Sequence, residues 1–377
     1  ADKRLKSGQP LSALDGVPLV WKDLFDFAGE TTTAASKTYQ KADVRRRDAE
    51  TVANVAASGM ITLGKVNLSE FAFSGLGLNP HFGTPPNPFS KDIKRAPGGS
   101  SSGTAVAVAM GFAPCGIGTD TGGSIRIPAA FNALVGFKPS EGRISKEGVF
   151  PLSRTLDTVG PIARSVEDCI QLDAVLSGQV MSAVRRRSIS GVHVFVPEAV
   201  VLEDLDAAVE ANFMQSVTAL EKAGARISRG PDKLFRKVAD LIAMHGSITS
   251  ADAYAEHQAI VESPGAKEVD PRVLDRILAG RSVLAVDLII LQRERERLQQ
   301  ELKIYLNGGL IAMPTTAMTA PALAKLENDT KHFHQVNQKV LRNTSIGNYL
   351  NMPGLALPNG FDPSGLPTSI LISGSPG

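Results

Sequence analysis

Two glycine- and serine-rich loops frame a run of small apolar residues. This pattern limits the possible folds of the 377-residue chain more than any other feature. The first loop is Pro97-Gly98-Gly99-Ser100-Ser101-Ser102-Gly103, and the second is Gly118-Thr119-Asp120-Thr121-Gly122-Gly123-Ser124-Ile125-Arg126. Between them, Thr104 to Ala113 is rich in Ala and Val and carries no charge. Ser102 to Met110 therefore reads as a helix buried on all sides, its N-terminus aimed at the chemistry. Pro114 to Gly118 is a short apolar lead into the second loop.

The flanking pattern is that of one α/β domain. Residues 16–22 and Ile61 to Val66 read as buried strands, separated by a helix from Asp48 to Ser58 with Ala49, Val52, Val55 and Ala56 on one face. Val192 to Pro197, an amphipathic helix near Leu205–Ala223, and Ala225 to Ser228 form a βαβ unit, which predicts parallel pairing with a right-handed crossover. Residues 229–307 read as mostly helical. They include one long helix, Arg281 to Leu306, whose alternating charges at Arg293 to Arg297 mark a solvated face. Gly308 to Pro314 reads as a strand, and Pro353 to Leu357 and Thr368 to Ser373 as strands that close the sheet. The loop from Ser69 to Pro88 is too long for a plain connection and is expected to line a site.

Composition removes several function classes. The 40 Lys+Arg against 38 Asp+Glu give no basic field for nucleic acid, and an aromatic share of 5% gives little base-stacking surface. Cys115 and Cys169 are the only cysteines, so neither a disulfide framework nor zinc spacing is present, and a reducing, cytoplasmic setting is the default. The apolar runs are shorter than the ~18–20 residues of a membrane span. No signal peptide is visible at Ala1.

Lys22 ends the apolar run Val17-Pro18-Leu19-Val20-Trp21. A lysine there is either held inside for use or snorkels to the surface just past the strand. If buried, its pKa falls and its amine becomes a base near neutral pH. A Gly-Gly-Ser turn exposes its serine and its amides, so the N–H groups of Thr121, Gly122, Gly123 and Ser124 are a candidate oxyanion hole. The loops also admit a plain structural turn. Neither matches a phosphate-cradling Gly-x-x-x-x-Gly-Lys-Ser/Thr or Gly-x-Gly-x-x-Gly sequence. A serine nucleophile, a hydroxyl relay and a lysine base together imply covalent acyl transfer without histidine. Cys115, in an apolar stretch without an adjacent base, reads as core. His81 reads as a surface-loop residue, His332 and His334 as exposed, and no metal site is expected.

Val17 to Lys22, Pro97 to Gly103 and Gly118 to Pro128 together closely resemble the amidase signature family. The resemblance continues in Lys65 to Ala72, Gly83 to Pro88, Gly136 to Arg143 and Leu156 to Pro161, and more weakly in Met313 to Thr316 and Asn351 to Gly354. It implies an α/β fold with a central mixed, mostly parallel sheet covered by helices on both faces. It also implies a single amidase domain over residues 1–377: a signature core at about 14–175, a variable substrate-determining region at about 176–310, and C-terminal strands and helices at 308–377. Family members carry an N-terminal helical segment, so residues are expected before Ala1.

By motif position the resemblance implies a Ser-Ser-Lys triad: Ser124 as nucleophile, Ser100 as bridging serine on a cis peptide bond, and Lys22 as general base and acid. The two serines lie 24 positions apart, as in the family. Asp120 and Arg126 are expected to pair and brace the nucleophile loop, the alternative being that Arg126 binds a substrate carboxylate. Ser101 is expected to donate behind the triad, Ser102 to cap the following helix, and Asp157 and Thr158 to hydrogen-bond near the loops. Phe71, Phe73, Phe82 and Phe150 are candidates for a partly apolar pocket, or for core.

The implied activity is hydrolysis of a small carboxamide to carboxylate and ammonia or amine through an acyl-serine. No cofactor, metal, nucleic acid or membrane is involved, and a homodimer is possible within the family. Two relatives stay open: the amidase component of a glutamine-dependent tRNA amidotransferase, from whose pattern Phe150 to Thr155 departs, and an allophanate- or biuret-type amidase. With all three triad positions filled, a non-catalytic scaffold carries little weight.

Overall fold

A computed structural model describes residues 1–179, 186–230 and 233–376. Residues 180–185, 231 and 232 of the expected substrate-determining stretch lie outside these. The first half of the chain runs α1 (Asp2–Lys6), β1 (Pro18–Lys22), α2 (Glu50–Ala57), β2 (Ile61–Val66), α3 (Ser102–Ala109), β3 (Cys115–Asp120), α4 (Arg126–Phe131), β4 (Val135–Lys138), β5 (Thr158–Ala163) and α5 (Val166–Leu176). The second half runs β6 (His193–Pro197), α6 (Ala207–Lys222), β7 (Arg226–Gly230), α7 (Lys233–His245), α8 (Ile248–Val261), α9 (Pro271–Leu278), α10 (Ala285–Leu306), β8 (Leu310–Pro314), α11 (Leu323–Asn328), α12 (Thr330–Tyr349), β9 (Gly354–Phe361) and β10 (Pro367–Ser373).

The strands form one mixed ten-stranded sheet in the order β2-β1-β3-β5-β4-β9-β10-β8-β6-β7. Parallel ladders are confined to its two ends, β2-β1-β3 and β8-β6-β7, the latter including the expected βαβ unit. The five central ladders are antiparallel, which corrects the expectation of a mostly parallel sheet. The reason lies in β4 and β5, whose Gly136, Gly160 and Pro161 do not read as strand interior. The β9–β10 hairpin does not close an edge; it joins the two halves. Ile61 to Val66, expected to be buried, is the outermost strand β2, with Ile61 and Leu63 about half exposed.

Side-chain alternation on β5 sorts the helices onto the two faces. Ile162 packs with Ala105 and Val108 of α3 and Ala129 of α4, while Val159 and Ala163 pack with Cys169 and Leu172 of α5. Helix α3 is buried through its first turns, but Met110 and Phe112 beyond it are exposed. The long helix begins at Ala285 rather than Arg281, after a 3-10 turn. Helix α12 had no clear sequence signal, since its residues are largely polar. It is started by Asp329, whose carboxylate accepts from the His332 amide at 2.9 Å, and it is held by Phe333, Val336 and Val340.

Strands β1 and β3 are parallel neighbours, so their C-terminal ends lie at the same edge of the sheet. That edge carries Lys22, Asp120 and the glycine loop after Asp120. In open α/β sheets this is where ligands bind.

Candidate active site

Lys22, the last residue of β1, has no solvent exposure. Its Nζ donates to Ser100 Oγ at 2.7 Å, to Thr119 Oγ1 at 2.7 Å and to the Thr119 carbonyl at 3.4 Å. Burial lowers its pKa from 10.5 to about 7, partly opposed by the carboxylates of Asp157 and Asp120. A substantial fraction is therefore neutral amine at neutral pH. The snorkelling alternative does not occur.

Ser100 follows a cis Gly99–Ser100 peptide bond and is fully buried. Its carbonyl accepts from the amides of Ser69 at 3.2 Å and Ser102 at 2.8 Å. The two glycine loops meet where the Ser101 amide donates to the Ser124 carbonyl at 3.2 Å, and the Ser101 hydroxyl donates to the Thr119 carbonyl at 3.4 Å. No hydrogen bond joins the Ser100 and Ser124 hydroxyls in this structure. Ser102 is the first residue of α3 and its buried hydroxyl has no partner, so the expected cap does not form.

The four expected oxyanion donors divide. The Gly123 amide donates to Asp120 Oδ1 at 2.9 Å and is thus committed to the turn, a correction to its expected role. Thr121, Gly122 and Ser124 line the cavity, and their amides are not engaged in the turn. Gly123 has φ of +137°, and a Cβ there would collide with the Thr344 side chain. Thr344 Oγ1 also donates to the Gly122 carbonyl at 2.6 Å, fixing the loop from α12.

Asp120 and Arg126 pair as expected, through two 3.0 Å bonds between fully buried groups. Asp120 also accepts from the Ile125 amide at 3.1 Å and from Asn348 Nδ2 at 2.8 Å, while Arg126 donates to Asn348 Oδ1 at 2.5 Å. Burial alone would raise the Asp120 pKa. Arg126, Lys138 and Asn348 outweigh it and hold the carboxyl well below the usual range. Arg126 has no exposure and does not line the cavity, so it is not placed to bind substrate. Asp157 accepts from Thr121 Oγ1 at 2.5 Å and from the amides of Leu152 and Ser153 at 2.9 and 3.0 Å. Burial still raises its pKa against these bonds. Thr158 Oγ1 donates to the Asp120 carbonyl at 2.9 Å.

A cavity of about 680 Å³ opens beside Ser124, lined also by Phe73, Leu152, Leu156, Ile346 and Tyr349. Of the aromatic candidates only Phe73 reaches it. Phe71 stacks with Phe150 and His257 in the interior, and Phe82 is exposed elsewhere. His334, expected to be exposed, lines the cavity on α12 and contacts Asp275 at 3.4 Å. His81 lies 3.3 Å from the buried Glu70 carboxylate. Cys115 is buried and its thiol is pushed up to about 12, consistent with core. Among the described residues, no group of three His, Cys, Asp or Glu is arranged to hold a metal, and no helix is long and apolar enough to cross a membrane.

The amidase family profile matches residues 1–377. The chain belongs to the amidase family. It is an enzyme of the kind that acts on amide C–N bonds. This amidase is 32% identical over 386 residues to a 2-amino-5-chloromuconic acid deaminase of Comamonas testosteroni, covering 100% of this chain and 81% of that protein. It is 32% identical over 412 residues to a glutamyl-tRNA(Gln) amidotransferase subunit of Acinetobacter baumannii (strain AYE), covering 100% of this chain and 82% of the relative. A crystal structure of an amidase superposes with a TM-score of 0.86 at 31% identity, covering 100% and 84% of the two chains. An allophanate hydrolase of Kluyveromyces lactis gives 0.83 at 27%, covering 96% and 59%.

Sequence reasoning missed Thr119, Lys138, Thr344 and Asn348. Thr119 sits inside the second loop motif, and a hydroxyl in a buried strand needs a partner, so it was findable. Thr344 and Asn348 arrive from α12, more than 200 positions from the loop they fix, and no local signal points to them.

Proposed function

We propose that this amidase hydrolyses a small carboxamide through an acyl-Ser124 intermediate, with Lys22 and Ser100 as proton relay. One observation carries the reading: a fully buried lysine, its pKa lowered to about 7, is bonded at 2.7 Å to the serine hydroxyl that precedes the nucleophile loop. Neutral Lys22 takes the Ser100 proton as Ser100 takes that of Ser124. The Ser124 oxygen then attacks the amide carbonyl, and the oxyanion meets the amides of Thr121, Gly122 and Ser124. The relay returns a proton to the departing nitrogen, the C–N bond breaks, and water activated by the same relay releases the acid. Closing the relay requires the Ser124 hydroxyl to turn toward Ser100, a tightening typical of substrate-bound sites.

Ammonia release from a panel of primary amides, run beside Ser124→Ala, tests this. Release that survives in Ser124→Ala contradicts it. A second reading has support in the 32% identity to relatives named as glutamyl-tRNA(Gln) amidotransferase subunits: a partner-dependent amidase that is nearly inert alone. Against it, the segment Phe150 to Thr155, beside the cavity residue Leu156, departs from the pattern of that subfamily. Full turnover by the isolated chain separates the two readings.

A further inference from the structure

The cavity that holds Ser124 also holds three cationic side chains, Arg276, Lys339 and Arg342. Two have acids within electrostatic reach. Lys339 bridges to Asp204 at 3.0 Å and to Asp206 at 3.7 Å. Arg342 donates to Asn343 Oδ1 at 3.2 Å and its charge is opposed by Glu203 and Asp204, although its Nη2 is buried without an acceptor.

Arg276, near the end of α9, differs. Its Nε is buried without an acceptor, and its guanidinium carbon lies 4.3 Å from the centre of the Phe73 ring. The acids nearest it in sequence are taken: Asp270 by Arg272 at 2.9 and 2.8 Å, and Asp275 by His334 at 3.4 Å. Burial lowers the Arg276 pKa to about 10 with no carboxylate to oppose it.

A desolvated guanidinium without a counter-charge is costly, and one packed over an aromatic face can still offer N–H groups to a carboxylate. We infer that Arg276 is the docking residue for an anionic group of the substrate, so that the substrate class is the half-amide of a dicarboxylic acid. This rests on Ser124 being the reacting centre of the same cavity. Phe73 packs against the guanidinium, Arg276 binds the carboxylate, and the amide carbonyl lies at Ser124. Arg126, the alternative carboxylate ligand, is sealed from the cavity by its own pair with Asp120.

The test compares succinamate, glutaramate and adipamate with butyramide, valeramide and hexanamide, in wild type, Arg276→Gln, Arg276→Lys and Ser124→Ala. Wild type is expected to prefer at least one half-amide over its neutral counterpart in kcat/KM. That preference should fall about 10- to 100-fold in Arg276→Gln, mainly through KM, with partial recovery in Arg276→Lys. A wild-type preference for the neutral amides, or an equal loss on both series in Arg276→Gln, overturns the assignment. Thermal protection of Ser124→Ala by succinate, glutarate or adipate reads the anion site without turnover. It should vanish in the Ser124→Ala/Arg276→Gln double variant. Protection without any hydrolysis would sink the hydrolase reading and leave the anion site standing. Serine-dependent hydrolysis with no protection and no carboxylate preference would do the reverse.

Discussion

Two buried lysines flank the Asp120–Arg126 pair, and they differ in an instructive way. Lys22 and Lys138 are both sealed from solvent, and burial lowers each from 10.5 to about 7. Lys22 is surrounded by hydroxyls, Ser100 on one side and Thr119 on the other. Lys138 donates to the Pro139 carbonyl at 2.8 Å, is further lowered by Arg126, and is raised by Asp120 and Glu141. Burial leaves both amines partly unprotonated near neutral pH. Of the two, only Lys22 bonds to side-chain hydroxyls, one of them Ser100 of the first glycine loop. A lowered pKa is thus a condition for a general base, and in the proposed mechanism the hydroxyl beside it selects Lys22.

The comparison is broken most severely by removing the amine at Lys22. Lys22→Met, close in volume, should lower kcat/KM by at least about 10³-fold while the protein remains folded. In wild type, kcat/KM should fall about tenfold per pH unit below about 7, because the protonated lysine cannot accept the Ser100 proton. A profile flat from pH 5 to 9 would contradict this role.

Next in size is the brace between the lysines. Arg126→Met leaves Asp120 buried and unpaired, and should cost about 3–5 kcal/mol in denaturant unfolding. Breaking an exposed pair such as Arg297 with Glu294 should cost far less, because solvent screens it, which calibrates the difference.

Lys138→Met is the smallest and sharpest test. It should change kcat/KM by less than about tenfold and leave the pH midpoint of activity in place, since Lys138 touches no hydroxyl of the relay. It should alter the pH dependence of stability. The folded pKa lies below the ordinary lysine value of 10.5, so between about pH 7 and 10.5 the unfolded chain binds more protons and stability rises with pH. The rise in Tm across that window should be shallower in Lys138→Met. An activity midpoint that moved with Lys138 would make it the base instead.

The site's parts were legible where chemistry is local. Lys22 at a strand end, the loop serines, and Asp120 six positions before Arg126 all sit in short, dense motifs. What the sequence hid was long-range or disguised. The Gly- and Pro-containing strands β4 and β5 turned an expected mostly parallel sheet into one with an antiparallel centre. Helix α12 looks polar because its Asn343, Thr344 and Asn348 are buried for their hydrogen bonds to distant carbonyls and to Asp120. Gly123 reads as a free donor because its sequence shows the flexible turn and not the Asp120 carboxylate that occupies its amide. Arg276 has no motif at all; only the fold shows that it faces the cavity without an acid.

The central claim is that Lys22, through Ser100, activates Ser124. Intact-mass and peptide mapping after exposure to a fluorophosphonate ester test it without knowledge of the substrate. The account predicts one adduct, on Ser124, formed at a rate that falls below pH about 7 and is at least about 10²-fold slower in Lys22→Met. Labelling of another residue, or equal labelling rates in the two proteins, would contradict it.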